Sequence, residues 1–271
     1  MRREAGVTRI AVLGGGVMGE ALIVGIQRRV HPAPIIVVSE KRDERRDELV
    51  HQLGIEAAEP GEAVRDADVV ILVVKPQDTR SLLSEIRGSV AGGALVISIA
   101  AGIPTALIEE ALPGARVVRA MPNTPARIES GLTGISAGAS CDADHLDRAR
   151  HLLTALGAVV EVPESLQDAI TSVSGSGPAY VFYLAEAMIA GAIDGGIDPA
   201  QAREIVVQTL LGSARLLQAS DDPPEVLRAK VTSPGGTTAA AVGVFDERGV
   251  KDAIVEGIAA ARRRGKELSS G

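Results

Sequence analysis

The chain has no tryptophan, two tyrosines, two phenylalanines and a single cysteine among its 271 residues. Its apolar 46% therefore comes from Ala, Val, Leu and Ile. So few ring faces leave no platform on which unpaired bases could stack. One cysteine, Cys141, excludes an intrachain disulfide framework and a multi-cysteine zinc knot. It reads as a small, partly buried residue rather than a catalytic thiol, and no metal site is expected. The formal charge of −7 offers no general attraction to nucleic acid or to an anionic membrane surface, so neither is expected as a partner. Long apolar runs are scarce as well. The first one breaks at three glycines, and Met1 to Thr8 before it is short and charged, unlike a signal peptide or a spanning helix. A cytoplasmic protein is expected.

What is present is an alternation of short β-branched runs with amphipathic stretches. The expected strands are Ile10–Leu13, Ile35–Val38, Val69–Val74, Leu95–Ile99, Val117–Arg119, Leu132–Ser136 and Val159–Val162. Several are apolar throughout, as in a parallel sheet covered on both faces. Helices are expected at Met18–Gln27, around Leu49, Val50 and Leu53, and from Leu146 to Leu156, with Gly157 as its C-cap. This repetition predicts a Rossmann-type, doubly wound α/β domain over residues 1–163.

After Glu164 the strand pattern stops, and residues 164–271 read as an all-helical domain. Tyr180–Ala192 is apolar nearly all round and needs burial on every side. Asp198-Pro199-Ala200-Gln201 has a cap, a proline at N1 and Gln at N3, and opens a helix to about Leu217. Asp222-Pro223-Pro224-Glu225 repeats that start signal, and a last helix spans about Lys251 to Leu268. So small a helical domain buries such a central helix most simply against a second subunit; burial against its own neighbours is the alternative.

Gly14-Gly15-Gly16-Val17-Met18-Gly19 follows the first strand and opens a helix. Gly14 and Gly16 allow a tight turn and close approach of a pyrophosphate, and Gly19 allows helix and strand to pack. No Lys-Ser/Thr pair follows, so this is not a mononucleotide loop. The second strand ends at Ser39-Glu40-Lys41-Arg42, about twenty residues beyond Gly19. Glu40 there can accept hydrogen bonds from ribose hydroxyls and would repel a 2′-phosphate. Lys41 and Arg42 pull the other way, unless they are a solvated charge cluster.

No histidine lies in the helical half, and no lysine lies between residues 164 and 229. Reduction of a ketone needs a proton donor for the developing alkoxide, most often His, Lys or Tyr. A protonated imine accepts hydride at carbon and becomes an amine directly. The shortage of acids favours C=N over C=O, although Tyr180, Tyr183, Lys75 and Lys230 remain available. Val231-Thr232-Ser233-Pro234-Gly235-Gly236-Thr237-Thr238 precedes an Ala-rich helix and could form a carboxylate socket. An ordinary turn with a helix cap reads the same on local chemistry.

The stretches Val118–Ala126 (Val-Arg-Ala-Met-Pro-Asn-Thr-Pro-Ala), Ser174–Tyr180 and Val231–Thr238, in this order along the chain, resemble the pyrroline-5-carboxylate reductase family over about Arg9 to Leu268. The resemblance implies a Rossmann domain followed by a helical dimerisation domain. It implies an NADH- or NADPH-dependent reduction of L-1-pyrroline-5-carboxylate to L-proline, the last step of proline biosynthesis. The cofactor would be held by Gly14, Gly16, Val17, Met18, Gly19, Ser39, Glu40 and Arg42, with its nicotinamide near Val74, Lys75, Pro76, Met121 and Asn123. The imine carboxylate would be bound by Ser233, Gly235, Gly236 and Thr237, and Thr238 would face the ring nitrogen as the catalytic residue. Members assemble as homodimers and some as decamers of five dimers. Many carry Arg where this chain has Glu40, so NADH is expected to serve well here, with NADPH as a second cofactor. The rivals are a 3-hydroxyacid or ketopantoate-type reductase, which wants a lysine on the apolar helix, and a non-catalytic dinucleotide sensor, which has no use for the hydroxyl–glycine socket.

Overall fold

The structure, a computed structural model, describes residues 8–270, with side chains described through residue 267. Most of the charged start, residues 1–7, lies outside the described residues. The strands are β1 (Arg9–Leu13), β2 (Ile35–Ser39), β3 (Glu56–Ala57), β4 (Val69–Leu72), β5 (Leu95–Ser98), β6 (Arg116–Met121), β7 (Gly131–Ala137) and β8 (Gly157–Glu161). Between them run α1 (Val17–Arg29), α2 (Asp43–Leu53), α3 (Pro60–Ala63), α4 (Pro76–Ile86), α5 (Thr105–Ala111) and α6 (Ala143–Leu153). The remainder is helical: α7 (Gln167–Ile170), α8 (Gly177–Asp194), α9 (Pro199–Ala219), α10 (Pro224–Lys230), α11 (Thr237–Glu247) and α12 (Val250–Ser270).

The eight strands form one sheet in the order β3-β2-β1-β4-β5-β6-β7-β8. From β3 to β6 all pairs are parallel; β7 runs antiparallel to β6, and β8 parallel to β7. Strand order therefore reverses between β1 and β4, a switch point where ligands of open α/β sheets bind. Alternate residues of β1 feed opposite faces, as a period of two requires. Ile10 and Val12 pack with Leu22, Ile23 and Ile26 of α1, Leu49 of α2 and Leu152 and Leu153 of α6. Ala11 and Leu13 pack with Leu83 and Ile86 of α4 and Ile108 of α5. Both faces are covered, which is why these strands carry so few polar residues.

Each of the seven expected strands is present, with shifted ends. β3 was not anticipated: its two residues are exposed and carry no alternation, and pairing with Val37 and Val38 alone makes it a strand. β4 stops at Leu72, two residues before the expected Val74, because Pro76 starts α4 close behind it. The expected C-cap role of Gly157 is corrected. α6 ends at Leu153, a 3-10 turn spans Thr154–Leu156, and Gly157 then opens β8 at φ +132°. A side chain there would meet the Gly131 carbonyl at 2.2 Å, so close strand pairing dictates the glycine.

The chain divides into two compact units, one comprising the residues up to Ser176 together with those from Arg262 on, the other Gly177–Ala261. In the first, the turns after β8 include a π-helical stretch, Thr171–Gly175. In the second, Asp198 caps α9 by accepting from the Ala200 and Gln201 N–H groups at 2.9 and 3.4 Å. Asp222 does not do the same for α10; Pro223 is the N-cap, and the Asp222 carboxylate pairs with Lys230 instead. No residue of α8 is buried in the single chain, and Phe182 and Tyr183 are 63% and 77% exposed. Ile205, Leu211 and Leu216 on α9, Phe245 on α11 and Ile254 on α12 are also exposed. No helix among the described residues is long and apolar enough to cross a membrane.

Candidate active site

The turn after β1 sits at the switch point. Gly14 has φ +117°, and a side chain on it would run into the Val73 carbonyl at 2.3 Å. Its N–H donates to the Ser39 carbonyl at 2.8 Å, which ties the turn to the end of β2. Gly19, one turn into α1, would bring a Cβ to 2.0 Å from the Gly14 carbonyl. Gly14 and Gly19 are thus required by the fold itself. Gly16 is different: nothing lies within 4 Å of where its Cβ would stand. It is the N-cap of α1, without a side-chain capping bond, and the exposed Val17 and half-buried Met18 follow it. An uncapped helix N-terminus beside open space can receive an anion.

Glu40 lies against this turn. One carboxylate oxygen accepts the Gly15 N–H at 2.9 Å, and the other accepts the Arg42 N–H and Nε at 3.1 and 3.0 Å. Its side chain is 10% exposed, whereas that of Arg42 is 66% exposed. Burial works against the charge on Glu40, but the Arg42 guanidinium, the Arg42 and Gly15 N–H groups and the nearby positive charge outweigh it and hold the carboxyl below its ordinary pKa. Arg45 on α2 donates from Nε to the Gly15 carbonyl at 3.0 Å and pairs with Glu20 and Glu48 at 2.5 and 2.6 Å. Sequence reasoning missed Arg45, because its partner at the turn is a main-chain carbonyl, which leaves no mark in residue identities.

The other expected cofactor residues lie at the carboxyl ends of β4 and β6, two parallel strands of the sheet with β5 between them. Val74 is half-buried after β4, while Lys75, the N-cap of α4, and Pro76 are exposed. Met121 ends β6. Asn123 is committed at both ends of its amide: its Nδ2 donates to the Ser174 carbonyl at 3.2 Å and Oγ at 3.1 Å, and its Oδ1 accepts the Leu132 N–H at 2.9 Å. It pins the π-helical stretch to the strand ends. Arg119, buried in β6, reaches Glu164 at 3.4 Å and Asp168 at 3.9 Å; Glu164 also accepts the Thr105 N–H and hydroxyl. Cys141 is half-buried and donates to the Val117 carbonyl at 3.0 Å, and burial pushes its thiol pKa up, so it is not primed as a nucleophile. Among the described residues no cluster of His, Cys, Asp and Glu could hold a metal ion.

The expected carboxylate socket is a single loop of the second unit. Gly235 has φ +70°, and the Gly236 N–H closes a turn onto the Ser233 carbonyl at 3.0 Å. Gly236 is the N-cap of α11, without a side-chain capping bond. Its Cβ would lie 2.5 Å from the Ser233 hydroxyl, so the glycine lets that hydroxyl stand over the helix start. Ser233 and Thr237 are exposed and Thr238 is half-buried in the first turn. Hydroxyls and unpaired N–H groups therefore converge at one helix end.

Residues 164–268 match the family described as pyrroline-5-carboxylate reductase dimerisation. Residues 9–102 match the family described as NADP oxidoreductase, coenzyme F420-dependent. A pyrroline-5-carboxylate reductase of Synechocystis is 41% identical over 265 residues, 96% of this chain and 98% of the relative. The structure of a pyrroline-5-carboxylate reductase from Coxiella burnetii gives a TM-score of 0.91 at 34% identity, covering 97% of this chain and 99% of that one. The Plasmodium falciparum pyrroline carboxylate reductase, solved with NADP bound, shares the fold at a TM-score of 0.85 and 24% identity, covering 97% and 98%. With relatives this similar matched along nearly their whole length, through both the glycine turn and the dimerisation region, the chain belongs to the pyrroline-5-carboxylate reductase family.

Proposed function

We propose that the protein reduces L-1-pyrroline-5-carboxylate to L-proline with NADH or NADPH, the last step of proline biosynthesis, and that the work divides between residues 1–163 and 164–271. The observation that carries this reading is the near full-length relationship to a reductase of that name. The glycine turn fits a dinucleotide: Gly14 and Gly19 make it compact, and Gly16 leaves the uncapped start of α1 open, beside Val17 and Met18. Ser39, Glu40 and Arg42 would hold the adenosine ribose. A carboxylate has about four acceptor sites, and Glu40 uses three of them on Gly15 and Arg42, so a ribose hydroxyl can take the last. Val74, Lys75, Pro76, Met121 and Asn123 would flank the nicotinamide, Asn123 through its backbone because its amide is already committed.

Reduced nicotinamide supplies the hydride. Ser233, the Gly235–Gly236 backbone and Thr237 bind the imine carboxylate at the start of α11, whose partial positive charge favours it. The Thr238 hydroxyl engages the ring nitrogen, fixing which ring carbon faces the donor and steadying the amine as it forms. The iminium accepts hydride at carbon, the C=N π pair becomes the nitrogen lone pair, and no alkoxide awaits a proton. Positioning is then the enzyme's main contribution. A ketone reductase of the 3-hydroxyacid or ketopantoate type is disfavoured because α8 has no lysine.

Homodimer formation through the helical region is part of the reading, supported by the exposed apolar residues of α8 and α9; a decamer of five dimers would be the larger assembly. The cytoplasm is the expected location. The test is oxidation of NADH and NADPH with pyrroline-5-carboxylate set against keto acids. Turnover with the imine alone is expected. Keto-acid turnover without imine turnover would overturn the reading, and binding of cofactor without any turnover would indicate a sensor.

A further inference from the structure

Two consecutive peptide units of the glycine turn are gripped by side chains from outside it. The Gly15 N–H is held by Glu40, and the Gly15 carbonyl by the Arg45 Nε. A trans peptide sets its C=O and the following N–H in opposite directions. Drawing the Gly15 carbonyl toward α2 therefore turns the Gly16 N–H away from α2. Gly16 is where no atom crowds the turn, and it begins a helix with no side-chain cap. Arg45 itself is held on three sides, by the Gly15 carbonyl, Glu20 on α1 and Glu48 on its own helix, and its side chain is only 17% exposed. Its planar fork can satisfy all three together, which a lysine ammonium on a flexible stem cannot do in the same geometry.

We propose that Arg45 and Glu40 are positioning residues that lock the Gly15 peptide and so aim the Gly16 N–H at the pyrophosphate of the dinucleotide. The inference rests on the dinucleotide reading above and adds a device to it: the phosphate cradle is set before the cofactor arrives. The conformational cost of ordering a glycine-rich turn is then met in folding rather than in binding. Arg45 does not touch the cofactor in this scheme. Its charge would also attract phosphate through space, so the test must separate aim from charge.

Titration calorimetry would compare NADH and ADP-ribose, which keeps the pyrophosphate and lacks nicotinamide, on wild type, Arg45→Lys, Arg45→Met and Glu48→Gln. Thermal denaturation checks each variant for folding, and the charge-conserving Arg45→Lys keeps both ion pairs within reach should Arg45→Met fail to fold. Arg45→Lys and Arg45→Met should each raise the Kd of both ligands by about tenfold, the loss of one charge-assisted contact. Glu48→Gln, which leaves the Gly15 contact in place, should bind as wild type does, and kcat at saturating NADH should be unchanged in all three. Arg45→Lys binding like wild type would show that charge and not aim matters, and would overturn the proposal. So would a Glu48→Gln variant weakened as much as Arg45→Met. A wild type that binds neither NADH, NADPH nor ADP-ribose would remove the dinucleotide reading and the clamp together; a wild type that binds, with unimpaired Arg45 variants, sinks the clamp alone.

Discussion

Glu40 puts a nearly buried negative charge where the adenosine ribose is expected, with Arg42 paired to it in the open. A 2′-phosphate facing that carboxylate meets repulsion and desolvation, whereas a ribose hydroxyl gains a charge-assisted hydrogen bond. NADH should therefore have the higher kcat/KM, with NADPH still usable through Arg42. Glu40→Arg should move the ratio of the two kcat/KM values toward NADPH by about tenfold or more, since about 1.4 kcal/mol suffices. The ratio is the proper readout, because losing the Gly15 contact harms both cofactors alike. A wild type already selective for NADPH, with the ratio untouched by the change, would mean that Glu40 does not face the ribose. The same carboxyl titrates below its ordinary value in the folded state. Its stabilising contribution is then complete above the ordinary carboxylate pKa and is lost as pH falls through the depressed one. The stability gap between wild type and Glu40→Gln, measured by denaturant unfolding, should close only in that acid range. Thr238 belongs to this scale too. Thr238→Ala should lower kcat by about tenfold, the loss of one positioning hydrogen bond to the ring nitrogen, with cofactor Kd unchanged by titration. Unchanged turnover would remove Thr238 from the site.

At the scale of the element, the glycine turn separates two demands that look identical in sequence. Gly19 has the Gly14 carbonyl 2.0 Å from its missing Cβ, so Gly19→Ala must displace backbone. It should cost about 1–3 kcal/mol of stability and lower the melting temperature. Gly16 has open space instead, with φ −67° that any residue adopts. Gly16→Ala should cost only the difference between glycine and alanine as N-cap, about 1 kcal/mol or less, yet bind NADH much more weakly, since only an incoming pyrophosphate would meet the methyl group. If it binds normally, the phosphate does not approach Gly16. Element type was largely legible because buried parallel strands must be apolar: Val69–Leu72 and Leu95–Ser98 are wholly buried and read as such. β3 was not legible, because pairing with β2 and not its own composition makes it a strand. The role of Gly157 was misread because its close neighbour, Gly131, is distant in sequence.

For the whole molecule, the second unit leaves Phe182, Tyr183, Leu184, Ile205, Leu216 and Phe245 substantially exposed in a single chain. A helix with a mean composition this apolar is stable in water only when another surface covers it. Sedimentation velocity at low micromolar concentration should show a dimer and no monomer. Tyr183→Asp, at the most exposed of these positions, should shift that equilibrium toward monomer. A folded, active wild-type monomer would defeat the homodimer reading.

The sequence by itself determined the alternation that makes a doubly wound sheet, the position of the dinucleotide turn and the change to an all-helical second half. Each of these is a local pattern imposed by chain periodicity, by the absence of a Cβ or by a capping side chain such as Asp198. Only the tertiary structure decided that β7 runs against β6, that the Asn123 amide is committed to Ser174 and Leu132, and that Arg45 grips the Gly15 carbonyl. The reason is physical. Those contacts join residues far apart in the chain, often through a main-chain N–H or C=O that every residue carries, so no residue type announces them.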